Sequence, residues 1–320
     1  MSEPLSQAVV VVVEHAGRTL LVRRADGLPG AGRWGPLAGR IEPGESPADA
    51  ARREAREEVG LAVVAGDEVH RCLAEGAPFE LIWVAASPDE RTPRPATVRV
   101  AGPEPMPALR LAPDEVSEAR WCTLAEALTL EPMFEATRAF FRSRVPGPLA
   151  TPADAAALLV ALGAGPWLVR HHELVAEAAG ELLAGLPREL RARVDERRVW
   201  LGAALHDAGK ILVPAEATGP GCEHEATGEV LLRQAGVNRE LARSCRTHAR
   251  WDEPDATVDD RLVALADKLW KGKRDGSLEE VIKAEMAPSG DRWASWVALD
   301  DLFERVAAKG PLRLARSHVA

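Results

Sequence analysis

Two groups of residues in this sequence have types and spacings that could do chemistry. Glu54, Glu57 and Glu58 stand at i, i+3 and i+4, so a helix would bring their carboxylates to one face. Three acids that close repel one another without a cation among them. Hard ions such as Mg²⁺ or Mn²⁺ take oxygen ligands and are commonly shared with substrate phosphates. Arg53, four residues before Glu57, can pair with the acids and hold the array. The second group is made of histidines: of the eight in the chain, His171, His172, His206, His224 and His248 fall in one stretch, and Asp207 follows His206 directly. Neutral imidazoles with a carboxylate suit Mn²⁺, Fe²⁺, Co²⁺, Ni²⁺ or Zn²⁺.

The elements needed to position these groups can be read from the surrounding residues. Ser46 is a good N-cap, Pro47 suits the first helical position, Asp49 helps the cap, and Gly60 can end the helix in a left-handed conformation. A helix over 47–59 follows, with Ala48, Ala51, Ala55 and Val59 as its apolar stripe. Around it, from Ala8 to Arg142, short apolar or alternating runs are separated by Gly/Pro/Asp-rich turns, which predicts mixed α/β structure. The segment VPGPLATP has linker composition. We therefore expect an α/β domain over 1–146, a linker over 147–152 and a second domain over 153–320. In that second part helix-period stretches run over 153–162, 167–183, 189–206, 225–234, 239–248 and 259–270, so it reads as all-α.

Residues 39–61, GRIEPGESPADAARREAREEVGL, resemble the Nudix box, G-x5-E-x7-R-E-U-x-E-E-x-G-U with U aliphatic. Gly39, Glu45, Arg53, Glu54, Glu57, Glu58 and Gly60 supply every fixed identity; Ala55 is the one soft departure, small where a larger aliphatic residue is common. TLLVRR and GRWGPLAGRIEPGE upstream resemble the strand and loop leading into such boxes, and the resemblance extends over about 7–141. It implies an α/β Nudix sandwich, a mixed sheet with flanking helices. It further implies that Glu54, Glu57 and Glu58 bind Mg²⁺ or Mn²⁺, that Glu54 or a neighbouring glutamate activates water, and that Glu45 supports the array. Gly39 would act through its backbone on the substrate. The implied reaction is attack of water on a phosphorus of a nucleoside diphosphate linked to another group. Trp34, Phe79 and Trp83 could stack on a base, although such aromatics in an α/β sandwich more often belong to the core; of the three, Trp34 is the expected substrate contact. No motif marks NADH or coenzyme A as substrate, which leaves nucleoside triphosphates and nucleotide sugars.

LGAALHDAGK, residues 201–210, resembles the signature of the HD phosphohydrolase superfamily. The resemblance makes His206 and Asp207 central ligands and Asp267, in LVALADKLW, the distal aspartate. His171 is expected as the first ligand in preference to His172, since it shares a helix face with Leu174, Ala178 and Leu182. His224 and His248 occupy positions resembling those of HD enzymes with a two-metal centre, so one or two transition-metal ions are expected. Lys210 would face substrate phosphate. Lys271, Lys273 and Arg274 are either phosphate contacts or a cationic helix end. A Gly-Tyr-Pro tripeptide is absent, the chain having no tyrosine, which argues against a cyclic dinucleotide as substrate.

Composition narrows the classes. The net charge of −9 and the lack of a basic patch argue against nucleic-acid binding. No apolar run approaches a membrane span, the first residues, MSEPLSQ, lack the features of a secretory leader, and the four scattered cysteines suggest no disulfide framework. These point to a cytoplasmic enzyme acting on small-molecule nucleotides, with a homo-oligomer compatible. The expected activity is bifunctional: Nudix hydrolysis of a nucleoside diphosphate-X anhydride and HD hydrolysis of a phosphomonoester. The rival reading is a Nudix hydrolase carrying a regulatory, nucleotide-sensing HD domain.

Overall fold

Five consecutive valines, Val9 to Val13, are all buried and form the centre of β1 (Ser6–His15), as expected for a strand covered on both faces. In the computed structural model, which describes residues 5–76, 79–89, 106–287 and 292–318, the chain divides into two compact units, Met1–Arg144 and Val145–Ala320. After β1 the first unit contains β2 (Arg18–Arg24), β3 (Trp34–Gly35), β4 (Leu37–Arg40), α1 (Pro47–Val59), β5 (Val63–Leu73), β6 (Phe79–Pro88), β7 (Val116–Cys122), α2 (Leu124–Thr129) and α3 (Glu135–Ser143). The sheet is mixed: β1 pairs in parallel with β6 and antiparallel with β4, while β2 carries β3 and β7. The register Val9↔Gly39 sets β4 beside the centre of β1.

α1 has the expected ends. The Ser46 side chain accepts from the Asp49 N–H, and Gly60 at φ 65° closes the helix; a β-carbon would be strained there. Ala50, Ala51, Ala55 and Val59 pack into the same core as Val9, Val11 and Leu37. Ala50 is buried with them, whereas Ala48, in the first turn, is only half-buried.

The second unit is helical, and the mixed sheet with flanking helices followed by an all-α unit is the expected fold class. Its elements are α4 (Pro152–Ala161), α5 (Pro166–Gly185), α6 (Arg188–Arg191), α7 (Glu196–Ala203), 3₁₀ turns at Ala208–Ile211 and Pro214–Ala217, α8 (Glu223–Gln234), α9 (Arg239–Ala242), α10 (Ser244–Thr247), α11 (Val258–Leu269), α12 (Gly276–Met286), α13 (Arg292–Ala308) and α14 (Gly310–Ser317). Buried aliphatic residues of α5, α7, α11, α12 and α13 form one core. α4 begins inside the segment read from sequence as linker, capped by Thr151 and Asp154.

The continuous helix expected over 189–206 is not present. Asp195 accepts the Arg198 N–H and starts α7 afresh, and α7 stops at Ala203, leaving His206 and Asp207 in a turn. Beyond the turn Gly209 approaches α8 closely: a β-carbon there would lie 1.9 Å from the His224 carbonyl oxygen. The turn releases His206 and Asp207 from the helical period. Likewise the stretch over 239–248 is split into two short helices, α9 and α10.

Candidate active sites

In the first unit α1 and β4 meet where Gly39 faces Glu54: a β-carbon on Gly39 would fall 1.7 Å from a Glu54 carboxylate oxygen. Glu54 and Glu58 are buried, 7% and 6% exposed, and both line a cavity of about 250 Å³ with Arg24, Arg33, Gly35, Gly39, Glu115 and Phe134. Glu54, Glu58 and Glu115 each present an oxygen within 4.8 Å of the others. Arg53 organises the rim. It donates to Glu45 (3.0 Å), to Glu54 (2.7 Å), to Glu57 (3.1 Å) and to the Arg40 carbonyl (2.8 Å). Glu45 also accepts the Glu42 N–H. Glu57, 55% exposed at its side chain, lies outside the buried trio.

The Ala38 N–H donates to Glu58 at 3.1 Å. Burial nevertheless pushes the Glu58 carboxyl up to about 8, with nearby Glu54 adding repulsion. Burial likewise raises Glu54, against the pull of Arg53. Buried acids held near one another in this way fit the oxygen ligation of a divalent cation.

A pH dependence follows. The folded chain keeps a proton on Glu58 up to about 8, whereas the ordinary glutamate value is 4.5. The stabilising share of that proton is therefore complete below about 4.5 and is lost as pH rises to about 8. A divalent cation such as Mg²⁺, if ligated by Glu58, would have to displace the same proton, so its affinity for this site would be expected to rise by up to about tenfold per pH unit and level off above about pH 8. Calorimetric titration of Mg²⁺ in two buffers of different ionisation enthalpy should show about one proton released per ion near pH 7. Binding without proton release at that pH would refute it.

One expectation about the aromatic residues, Trp34 as a substrate contact, needs correction. Trp34 does not line the cavity; it is buried, with the Arg120 guanidinium 4.9 Å from its ring centre. Trp83 stacks on Phe140 in the core and Arg40 covers Phe79. The cavity aromatic is Phe134, which the sequence reading missed, as it did Glu115, Arg24 and Arg33. Neither Glu115 nor Phe134 stands at a fixed spacing from the box; the only local signal for Glu115 is its place just before the strand β7.

In the second unit five elements deliver side chains to one place. His171 comes from α5, His206 and Asp207 from the turn after α7, His224 from the first turn of α8, His248 from the end of α10 and Asp267 from α11. His171 Nε2 lies 3.2 Å from Asp207 Oδ2 and 3.3 Å from His206 Nε2. Asp267 Oδ1 is 3.6 Å from His206 Nε2 and 3.9 Å from His171 Nε2. The other oxygen, Asp207 Oδ1, faces His224 Nε2 at 3.2 Å and His248 Nε2 at 3.6 Å. Asp207 therefore separates two ligand groups, one on each oxygen.

The ring orientations agree with cation binding. Nδ1 of His206 lies 2.9 Å from the Ala203 carbonyl and Nδ1 of His248 lies 3.1 Å from the Ser244 carbonyl. A carbonyl only accepts, so each Nδ1 carries the proton and Nε2 turns its lone pair inward. Asp207 Oδ1 is buried and receives no well-aligned hydrogen bond, a deficit that a cation would fill. Burial lowers His171 and drives His248 down to about 4, favouring the neutral, ligating form. His206 is raised: burial opposes its charge, but Asp207 and Asp267 outweigh burial. Burial also opposes ionised Asp207, yet the surrounding histidines hold it well below the ordinary carboxylate range.

His172 takes a different part. Its Nδ1 donates to the Leu168 carbonyl at 2.8 Å and its Nε2 accepts the Asp207 N–H at 3.1 Å, so it fixes the Asp207 backbone. Lys210 Nζ donates to Asp207 Oδ2. Lys271 Nζ lies 3.7 Å from Asp267 Oδ2. Arg274 is not a free phosphate contact: Glu279, Asp300 and Glu304 all bind its guanidinium.

Comparison with known proteins agrees with this division. The NUDIX domain family matches residues 4–143 and the HD domain family matches residues 168–270. The chain joins a NUDIX domain to an HD domain. A CTP pyrophosphohydrolase of Escherichia coli (strain K12) is 36% identical over 63 residues, 20% of this chain and 47% of that protein. An octanoyltransferase of Myxococcus xanthus is 42% identical over 85 residues, 25% of this chain and 23% of that protein. The chain thus spans less than half the length of either relative. The crystal structure of a MutT protein from Methanosarcina mazei Go1 is similar with 25% identity and a TM-score of 0.35, over 45% of this chain and 94% of that one. Among the described residues no helix is long and apolar enough to cross a membrane.

Proposed function

We propose that this chain is a bifunctional metal-dependent nucleotide hydrolase. Its NUDIX domain cleaves the phosphoanhydride of a nucleoside diphosphate-X compound, and its HD domain cleaves a phosphomonoester such as a nucleoside monophosphate. One feature supports both halves: each domain buries a carboxylate that a cation would relieve, Glu58 raised by burial beside Glu54 in the first and Asp207, whose Oδ1 has no hydrogen-bond partner, in the second.

In the NUDIX domain Glu54, Glu57 and Glu58 would hold Mg²⁺ or Mn²⁺, with Glu115 adjoining them. In the HD domain His171, His206, Asp207 and Asp267 would hold one transition-metal ion, and Asp207, His224 and His248 a second. The ions when bound screen phosphate charge and acidify water. Glu54 or a neighbouring glutamate would accept the proton of the attacking water, Arg53 holds the Glu54 carboxylate, and Glu45 holds Arg53. Gly39 leaves room for the Glu54 carboxylate, and its backbone would meet the substrate. Arg24, whose Nε is buried without a hydrogen-bond partner, and Arg33 are cations of the cavity wall that can bind those phosphates. At the HD site Lys210 is placed to move from Asp207 to a phosphate oxygen.

Nucleoside triphosphates are the first substrates to test, since one partial relative is named as a CTP pyrophosphohydrolase. The test is a screen of the full chain with Mg²⁺ or Mn²⁺ against nucleoside triphosphates, nucleotide sugars and nucleoside monophosphates. The expected products are a nucleoside monophosphate, or the nucleoside and phosphate that the HD site makes from it, from the first two classes and free phosphate from the third. Inactivity of the metal-loaded protein on all three would overturn the proposal.

A further inference from the structure

We infer that Glu216 is a positioning residue that fixes the His224 ring and with it the half of the HD site built from Asp207 Oδ1, His224 and His248. Glu216 sits on the 3₁₀ turn Pro214–Ala217, away from the HD signature, and its side chain is 10% exposed. One carboxylate makes three contacts. Oε2 is 2.5 Å from His224 Nδ1 and accepts the His224 N–H at 3.0 Å, while Oε1 accepts the Glu223 N–H at 3.0 Å. It thereby caps the start of α8 and orients the first ligand that α8 carries.

The slot for Glu216 is built into the chain. A β-carbon on Gly221 would fall 2.2 to 2.7 Å from Oε1, Cδ and Cγ of Glu216, so any side chain at 221 would displace the carboxylate. The chemistry also sets this ring apart, because backbone carbonyls hold His206 and His248, whereas a carboxylate holds His224. With Nδ1–H donated to Glu216, the Nε2 lone pair points to the Asp207 Oδ1 side, and a charged acceptor makes the ring a stronger ligand. Among the described residues, Glu216 makes its hydrogen bonds to Glu223 and His224 and none to His171, His206, Asp207 or Asp267. Loading of the two halves is therefore separable.

This inference rests on reading the HD histidines as metal ligands, and the experiment separates the two. Mn²⁺ is titrated into the full chain carrying Glu58→Gln, which weakens the NUDIX site, and into the same chain with Glu216→Gln. Electron paramagnetic resonance reports whether bound Mn²⁺ ions are isolated or spin-coupled pairs. Glutamine keeps the size and one acceptor oxygen of Glu216 and loses the charge, so folding, followed by circular dichroism, is expected to survive. The expected result is a coupled pair in the parent. In Glu216→Gln an isolated ion remains, and affinity for the second ion falls about ten- to hundredfold. Gly221→Ala, which keeps residue 216 a glutamate but displaces its carboxylate, should give the same loss and serves as the test if Glu216→Gln fails to fold. A coupled pair of undiminished affinity in both variants overturns the role of Glu216. Absence of a coupled pair in the parent overturns the two-ion reading itself, and this inference falls with it.

Discussion

Replacing Glu58 by glutamine is expected to lower kcat/KM of the NUDIX reaction by about a hundredfold or more, the size seen when an active site loses one charged stabiliser. Glu58 is the most deeply placed acid of the cavity, accepts the Ala38 N–H, and stands beside Glu54 and Glu115. Glutamine has nearly the same shape and can still accept that hydrogen bond, so the fold should hold while the ligand charge is lost. Steady-state hydrolysis of a nucleoside triphosphate at saturating Mg²⁺ measures the effect. Activity within a few fold of the parent would remove Glu58 from the site. Glu57→Gln is a sharper comparison, because the Glu57 carboxylate is tied to Arg53 and exposed. An equal loss there would show that Arg53 releases Glu57 to the cation when the site is loaded.

Changing Asp207 to alanine is expected to abolish transition-metal retention by the HD domain and to lower its phosphomonoesterase activity at least about a hundredfold. Asp207 offers one oxygen to each histidine group, so both lose a ligand together. If the two domains act in succession on one nucleotide, the unaltered protein supplied with a nucleoside triphosphate accumulates nucleoside, and the Asp207→Ala protein accumulates the monophosphate. Metal analysis and product chromatography read the two effects separately. Unchanged metal content in Asp207→Ala would sink the site, whereas a metal-loaded HD domain that ignores every monophosphate released by the NUDIX domain would sink only the succession.

Much of the first site is legible in sequence because it is local. On one helix the 3.6-residue period determines which side chains are neighbours, and Ser46, Pro47 and Gly60 mark where that period starts and stops. The proximity of Glu54 and Glu58, and the reach of Arg53 to Glu57, are therefore consequences of spacing. In the second unit the order of histidines and aspartates was readable, and the helical class followed from periodicity. Their convergence was not encoded in any period, since the ligands come from five elements and His206 and Asp207 lie where a helix breaks.

What only the tertiary structure decided are the contacts across sequence distance. The pairing of β7 with β2 carries Glu115 to α1, and the approach of Gly39 to Glu54 depends on the register of β4 on β1. Burial, which no composition reports residue by residue, took Trp34 out of the cavity and raised Glu58. The choice between adjacent residues was readable from the helix period: His171 and His172 differ by one position, and a turn of about 100° per helical residue sends one ring to the ligand cluster and the other behind the Asp207 backbone. Sequence by itself determined the chemical inventory and the local geometry of each helix. The packing of distant elements decided which of those groups share a point in space, because that depends on strand register, helix breaks and burial rather than on spacing along the chain.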